Sequence, residues 1–120
     1  MYKDAQDLFS FVLKVVDKLP KKYRYELGSQ IIRSCFSIIL NIAEGSGKIT
    51  DAELNRFLDI ALGSAYETLA ATDTFRKNNL ITQKEFDFIH EKVSSIRLSV
   101  TSSVDSKEIL RIHKLSVVGC

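Results

Sequence analysis

The spacing of apolar residues along the chain is that of α-helices. Over residues 4–19, apolar positions recur at steps of three and four, which places them on one face of a helix. They are Leu8, Val12, Val15 and Leu19. Pro20 follows directly and predicts the end of this helix, because the residue before a proline is driven out of the α region.

Three more helices are predicted, over residues 26–44, over residues 51–78 and from Thr82 onwards. The second helix runs into Gly45-Ser-Gly47, where a glycine can adopt the left-handed conformation that closes a helix. Asn78-Asn79 ends the third. Thr50-Asp-Ala-Glu53 and Thr82-Gln-Lys-Glu85 each match a capping box, in which the threonine and the glutamate satisfy amide groups at a helix start.

The apolar residues of the fourth helix also alternate steps of three and four. They are Phe86, Ile89, Val93, Ile96 and Val100. Residues 101–106 are poor in helix formers, which leaves two possibilities open: the helix frays after Val104, or it continues through Ile112. We take residues 1–114 as the helical domain and residues 115–120 as a loose C-terminal tail.

Four helices joined by short connections predict an all-α fold, an antiparallel up-down-up-down four-helix bundle. The apolar residues of the second and third helices spread over arcs far wider than the roughly 100° that a bundle needs from each helix. This surplus predicts self-association, since a second copy of the chain is the simplest cover for an exposed apolar face. The alternative is a broad core covered by long side chains and by the C-terminal tail.

The polar residues of the second helix share one side of it when residues are placed at about 100° intervals. They are Gln30, Arg33, Ser34, Ser37, Asn41 and Glu44. We call this set the polar stripe. One interpretation is a solvated face with an internal network, either Arg33 with Glu44 or Asn41 with Ser37. The other is a network between subunits, or the lining of a central channel in a symmetric ring.

The net charge of +2, from 17 basic and 15 acidic residues, does not indicate an extended phosphate-binding surface. The basic residues are densest where the first helix meets the second, and Asp17 is the one acidic residue among them. We call this set the basic corner: Lys14, Lys18, Lys21, Lys22 and Arg24. It is either a solvated helix end or a contact surface for nucleic acid.

No residue pattern indicates an enzyme, a metal site or a cofactor. Asp87-x-x-His90 occurs once, whereas a carboxylate di-metal bundle needs acidic ligands from all four helices and two such His motifs. Cys35 lies in an apolar helix, where a thiol is usually inert. Together with Cys120, and without a signal peptide, it predicts a reduced, cytoplasmic protein. The longest apolar stretch, residues 35–43, is too short to cross a membrane.

Three segments of the chain resemble a known family. They are Tyr25-Glu-Leu-Gly-Ser-Gln-Ile-Ile-Arg33 with Ser37-Ile38, then Asn41-Ile-Ala-Glu-Gly-Ser-Gly47, and then Phe57-Leu-Asp-Ile-Ala-Leu-Gly-Ser64 with Glu67. These segments are similar to the bacterial four-helix-bundle family, also called the 23S rRNA intervening-sequence protein family. The resemblance covers about residues 5–110.

The resemblance implies a four-helix bundle that assembles as a homopentamer, and a gene type first noticed within segments that interrupt 23S rRNA genes. The biochemical role of the family is unsettled. Our primary hypothesis is a non-enzymatic, homo-oligomeric scaffold that binds RNA or a protein–RNA partner weakly or, by itself, not at all. A related branch implies an alternative, because the accessory protein of diversity-generating retroelements is a strongly basic pentamer that binds reverse transcriptase and nucleic acid. The matched polar positions are Gln30, Arg33, Asn41, Glu44 and Glu67. Ile32 stands where the family usually has a second basic residue, which lowers the nucleic-acid affinity expected here.

Overall fold

The computed structural model describes residues 1–102 of the 120-residue chain. Within them the chain forms four α-helices and no strand: α1 (Tyr2–Lys18), α2 (Lys21–Ser46), α3 (Asp51–Lys77) and α4 (Gln83–Thr101). The all-α, four-helix prediction is therefore confirmed. The course of the fourth helix beyond Val104, the domain boundary at residue 114 and the tail at residues 115–120 lie outside the described residues.

The break between α1 and α2 follows from Pro20. Leu19, directly before it, is extended (φ −63°, ψ 145°) and ends α1, as expected for a residue whose α conformation would clash with the proline ring. Pro20 then occupies the N-cap of α2, so α2 begins at Lys21 and not at residue 26. The predicted start was late because residues 21–26 are all exposed and carry no apolar periodicity.

The end of α2 differs from the prediction. No glycine among residues 1–102 has a positive φ, and Gly47 caps α2 in the right-handed conformation (φ −87°, ψ −4°). Gly45 lies inside the helix, where a Cβ would lie 3.1 Å from Phe57 Cβ and 3.3 Å from Leu54 Cδ1 of α3. Gly45 therefore allows α3 to approach closely and does not reverse the chain.

The left-handed residue occurs instead after α3. Asn79 has a φ of 59°, a conformation that asparagine tolerates better than most residues. The Leu80 N–H donates to the Phe75 carbonyl at 2.8 Å, and the Asn79 N–H donates to the Arg76 carbonyl at 3.1 Å. These two bonds form a Schellman motif that satisfies the last carbonyls of α3. The predicted end at Asn78-Asn79 is confirmed.

Two threonines cap the starts of α4 and α3. The Thr82 hydroxyl accepts from the Glu85 N–H at 3.1 Å, and the Glu85 carboxylate accepts from the Thr82 N–H at 2.9 Å, so this capping box is confirmed in both halves. The Thr50 hydroxyl accepts from the Glu53 N–H at 3.2 Å. Among the described residues the Glu53 side chain makes no return bond, so this second box is half formed.

The four helices pack in a closed order: α1 on α2, α2 on α3, α3 on α4, and α4 on α1. The pairing of α2 with α3 is the most extensive. The core between the helices is aliphatic, and it includes the predicted stripe of α1 and the centre of α4: Leu8, Val12, Val15, Leu19, Ile89, Val93 and Ile96. Helices α1 and α2 come closest at Gly28, where a Cβ would lie 2.7 Å from Val16 Cγ1.

Candidate interaction surfaces

A row of hydroxyl groups lies along the seam between α2 and α3. Ser34 Oγ lies 2.9 Å from Thr68 Oγ1, and Ser37 Oγ lies 2.9 Å from Ser64 Oγ. Asn41 Nδ2 extends this row by donating to the Ser37 carbonyl at 2.8 Å and to the Ser37 hydroxyl at 3.0 Å. The pairing of Asn41 with Ser37, one of the two internal networks considered for the polar stripe, is therefore present. We call Ser34, Ser37, Ser64 and Thr68 the hydroxyl row.

Backbone carbonyls of α2 and α3 also lie within hydrogen-bond distance of hydroxyls in this row. Thr68 Oγ1 lies 2.9 Å from the Ser64 carbonyl, and Ser34 Oγ lies 3.1 Å from the Ile31 carbonyl. Because each hydroxyl has one proton, one of the two donates to its carbonyl while the other donates across the seam. One turn further along α3, Thr72 Oγ1 donates to the Thr68 carbonyl at 3.0 Å. A hydroxyl nucleophile needs a base that removes its proton, whereas the acceptors along this row are carbonyls and other hydroxyls. The geometry suits alignment of the two helices.

Above the hydroxyl row, α2 and α3 leave a solvent-facing groove of about 290 Å³. It is lined by Gln30, Arg33, Ser34, Ser37, Ser64 and Glu67. Gln30, Arg33 and Glu67 are exposed, and within residues 1–102 none of these three side chains makes a hydrogen bond or an ion pair. The groove thus has a hydrogen-bonded floor and a rim that carries unpaired groups of both charges.

Most of the predicted polar positions line this groove; Asn41 does not, and neither does Glu44. Its carboxylate pairs with Lys48 Nζ at 3.1 Å, one turn further along the chain. An Arg33–Glu44 bond, the other internal network considered, is absent from the described part of the chain. The partner of Glu44 is thus four residues away, just past the end of α2, and not three turns away along the helix.

The residues of α3 that face the polar stripe were missing from the prediction. Ser64, Thr68 and Thr72 follow one another at steps of four, and all three are buried. That spacing places them on one helix face, so it is a signal that could have found them. Small polar residues repeated at this spacing among apolar ones indicate a polar seam inside a bundle.

Exposed apolar residues lie beside the groove. Phe36, Leu40 and Ile60 retain 44%, 52% and 43% of their surface, although Phe36 also touches Phe9 of α1 with ring centres 5.4 Å apart. Gly63, three residues after Ile60, is exposed, and nothing lies within 4 Å of the position that its Cβ would take. We call the following set the outer face: Arg33, Phe36, Leu40, Ile60, Gly63 and Glu67.

The basic corner lies where α1 ends and α2 begins, and its five residues are all exposed. Two of them are engaged within the chain. Lys18 Nζ pairs with Glu85 of α4 at 3.3 Å, and Arg24 Nη2 donates to the Leu19 carbonyl at 3.1 Å. Both contacts fix the corner against the rest of the bundle.

The other three lysines of the corner, Lys14, Lys21 and Lys22, form no ion pair among residues 1–102. Lys22 Nζ lies 5.0 Å from the centre of the Tyr23 ring, a cation–π distance. Because these three ammonium groups are unpaired, they are better candidates for contact with an anionic partner than Lys18 is. The structure therefore shows which charges of the predicted corner are uncommitted within residues 1–102.

A larger cavity of about 510 Å³ opens beside the α3–α4 turn. The charged groups that line it are already paired, Lys18 with Glu85 and Arg76 with Asp73. The Arg76 guanidinium also lies over the Phe86 ring at 5.0 Å. Because these charges are paired within the chain, the cavity presents no unpaired charge of the kind found at the groove and the basic corner, although the buried Arg76 Nε has no hydrogen-bond partner among the described residues.

The groups with catalytic or metal-binding potential are few in the described residues. Cys35 is fully buried, and burial raises the pKa of its thiol to about 12, so the thiolate is scarcely populated at neutral pH. Within residues 1–102, no three His, Cys, Asp or Glu side chains form a group that could hold a metal ion. In the same region, no helix is long and apolar enough to span a membrane.

The helices, the groove between α2 and α3 and the basic corner define a small helical bundle with two candidate interaction surfaces. Residues 1–102 match the family model of the 23S rRNA-intervening sequence protein. The chain belongs to this family, and the resemblance described from its sequence is confirmed.

Among solved structures, the chain is similar to a protein of unknown function from the S23 ribosomal protein family of Bacteroides thetaiotaomicron. The two share 22% sequence identity with a TM-score of 0.77, over 84% of this chain and 94% of the other. At this level of identity the likeness establishes the fold alone. No curated protein matches the chain.

Proposed function

We propose that this chain is a non-enzymatic scaffold that works as a homo-oligomer assembled through the outer face. The observation that carries the proposal is the make-up of that face, exposed apolar side chains next to unpaired charges. Protein–protein interfaces combine an apolar centre with a polar rim in this way. A face that carries both Arg33 and Glu67 is also complementary in charge to a second copy of itself.

Gly63 gives a second line of support. A glycine in the middle of a helix costs roughly 0.5–1 kcal/mol relative to alanine, and no neighbour within the described chain would touch a Cβ at this position. Close approach of another copy to α3 at Gly63 accounts for that cost. Gly28 and Gly45 need no such partner, because α1 fills the space beside Gly28 and α3 fills the space beside Gly45.

The proposed subunit is an antiparallel up-down-up-down bundle. Along α2 and α3, contacts run in opposite order, which supports this: Ser34 with Thr68, Ser37 with Ser64, and Gly45 beside Phe57. Lys18, at the end of α1, pairs with Glu85 at the start of α4, while Asp4 pairs with Lys92 further along. For the number of subunits we propose five, as the family resemblance implies, giving 5 × 13.6 = 68 kDa.

The proposal assigns no catalytic residue and no cofactor. It is supported by the chemistry of the best nucleophile candidates. The hydroxyl row bonds to carbonyls and to other hydroxyls instead of to a base, and the Cys35 thiol is buried with its pKa raised to about 12. We propose that the polar stripe serves the structure and assembly of the scaffold.

Light scattering on the purified protein at micromolar concentration tests the assembly. We expect a mass several times 13.6 kDa, and we expect Leu40→Lys to reduce it to that of one chain, because the change places a charge in an apolar contact. Leu98→Lys is the matched control, since Leu98 is similarly exposed, 57% against 52% for Leu40. It lies on α4, which packs on α1 and α3. A monomeric parent, or equal effects of the two changes, contradicts the proposal.

A second candidate function, contact with RNA, is favoured by the uncommitted lysines of the basic corner. In this role the chain would resemble the nucleic-acid-binding accessory proteins of diversity-generating retroelements, or it would bind a protein–RNA complex. The net charge of +2 per chain is small, so we expect weak, electrostatic and sequence-independent binding.

Such binding must fall steeply as salt is added, since phosphate counterions are released on contact. Replacing Lys21 and Lys22 together by alanine should weaken it and reduce its salt dependence. Lys3→Ala is the control, because Lys3 is exposed and lies at the opposite end of α1. Sequence-selective binding that persists at high salt would argue against the basic corner as an electrostatic site.

A further inference from the structure

Tyr25 lies beside the basic corner with most of its side chain in solvent. It retains 83% of its surface, and among residues 1–102 neither its ring nor its hydroxyl has a partner. Tyr23, two residues earlier, is 39% exposed and has Lys22 Nζ near its ring. Tyr25 therefore offers an open aromatic face next to a cluster of cations.

Helix geometry makes two lysines neighbours of Tyr25, with Lys22 Nζ lying over the Tyr23 ring. Lys21 and Lys22 precede Tyr25 by four and three residues, the separations at which side chains on an α-helix are neighbours. Over residues 14–26, the five basic residues of the corner are opposed by Asp17 and by Glu26, which directly follows Tyr25. An anion bound by these lysines would lie next to the exposed face of Tyr25.

This combination fits single-stranded nucleic acid. Single strands are bound without regard to sequence by basic groups that follow the phosphates and by aromatic rings on which bases stack. The bases of a duplex are stacked on one another and cannot reach such a ring. The local excess of positive charge also favours a polyanion over an ordinary protein surface as the occupant.

We infer that Tyr25 is a base-stacking platform and that the basic corner around it binds single-stranded nucleic acid. This inference rests on the second candidate function above. It adds the kind of strand that is bound and the residue that contacts the bases. Phosphate and base are common to RNA and DNA, so the experiment carries both.

Fluorescence anisotropy with labelled strands of about 12 nucleotides tests the inference, since single-strand sites cover roughly 4–16 nucleotides. The probes are oligoadenylate RNA, oligoadenylate DNA, an abasic strand that keeps the phosphates, and an RNA duplex. Tyr25→Ala should weaken binding of the oligoadenylates by about tenfold and leave the abasic strand and the duplex unchanged. Binding of either oligoadenylate with this pattern supports the inference and shows which sugar the site accepts.

Two further variants separate the ring from the charges. Tyr25→Phe keeps the aromatic face and should bind like the parent. Lys21→Ala combined with Lys22→Ala should weaken all four probes, because it removes contacts to phosphate. Since Tyr25 is exposed, Tyr25→Ala loses no buried contact and should match the parent in circular dichroism and in mass.

Three results would overturn the inference, and they are distinguishable. If Tyr25→Ala binds the oligoadenylates like the parent while the double lysine variant loses them, the stacking role is wrong and the nucleic-acid function stands. If the parent binds none of the probes, the nucleic-acid function fails and the inference fails with it. If Tyr25→Ala lowers the mass of the oligomer, Tyr25 belongs to a subunit contact.

Discussion

The inner and outer sides of the α2–α3 pair differ in how completely one chain satisfies them. On the inner side, Ile38 is buried and the hydroxyl row is hydrogen-bonded. On the outer side, Leu40 and Ile60 face solvent, and Arg33 and Glu67 have no partner within residues 1–102. Both sides are built by the same two helices. The difference indicates that a single chain suffices for its core, and it supports our proposal that a second copy covers the outer face.

The largest expected contrast comes from truncating two residues of α2 that lie two positions apart. Ile38 is fully buried, so Ile38→Ala leaves a cavity and should lower the free energy of unfolding by about 2–5 kcal/mol. Leu40 is half exposed, so at dilutions where the chain is monomeric Leu40→Ala should lower it by less than about 1 kcal/mol. Denaturant unfolding measures both. Equal losses at high dilution would place Leu40 in the core of the single chain.

Two glycines give a contrast of opposite sign. At Gly28 an added Cβ would lie 2.7 Å from Val16 Cγ1, and a β-branched side chain in a helix cannot easily move aside. Gly28→Ala should therefore destabilise the chain by about 1–3 kcal/mol. Gly63→Ala meets no neighbour and should stabilise the monomer by up to about 1 kcal/mol while it weakens assembly. Thermal unfolding and light scattering report the two effects; stronger assembly of Gly63→Ala would remove the argument from Gly63.

Thr68 and Glu67, which are neighbours on α3, test the polar groups on the inner and the outer side of the α2–α3 pair. Thr68 is fully buried and bonded to Ser34 and to the Ser64 carbonyl. Thr68→Val keeps its shape and should lower the free energy of unfolding by about 1 kcal/mol. Glu67→Gln changes an exposed group without a partner, so it should leave the stability of the monomer unchanged within about 0.5 kcal/mol. A large loss for Glu67→Gln under monomeric conditions would mean that its carboxylate is already paired within the chain.

Lowering the pH should reduce the free energy of unfolding through Glu85, which lies at the start of α4 and away from the outer face. Burial would raise the pKa of Glu85, but hydrogen bonds from the Thr82 amide and from Lys18 outweigh it and hold that pKa below its ordinary value of 4.5. A lowered folded-state pKa contributes stability above about pH 4.5 that is lost as the pH falls through the folded value. Because Lys18 is exposed, we expect less than about 1 kcal/mol.

The variant Glu85→Gln isolates this contribution. It should reduce the fall in unfolding free energy as the pH is lowered from about 5 towards 3. The dependence that remains belongs to other carboxylates, among them Asp7 and Asp73, whose pKa values are lowered by hydrogen bonds from Lys3 and Arg76. A variant with the same pH dependence as the parent would show that Glu85 is not linked to folding.

The helices and their buried faces could be predicted because they are properties of short segments. The spacing of Leu8 and Val12 on α1, or of Ile89 and Val93 on α4, is enough to place them in a core. The turn after α3 could likewise be predicted from Asn78-Asn79. The role of Gly45 was not, because it depends on which residues of α3 lie opposite, and a single segment does not carry that information.

The candidate site divides in the same way. The side of α2 on which Arg33 and Ser37 lie follows from the helical period alone. Their partners depend on the alignment of α2 with α3, which puts Ser64 opposite Ser37. For Glu44, Lys48 supplies the partner, and not Arg33, which belonged to one of the two internal networks considered from the sequence. The face of a helix on which a residue lies is thus predictable, whereas its partners, even one four residues away as for Glu44, require the fold.

Thiol labelling in solution tests most directly whether another copy covers the outer face. Leu40→Cys and Leu98→Cys, each combined with Cys120→Ser, place a single reactive thiol on α2 or on α4, while Cys35 stays buried with a raised pKa. We predict that at micromolar concentration position 40 reacts with a maleimide far more slowly than position 98, and that dilution removes the difference. Equal labelling rates at every concentration would contradict the account.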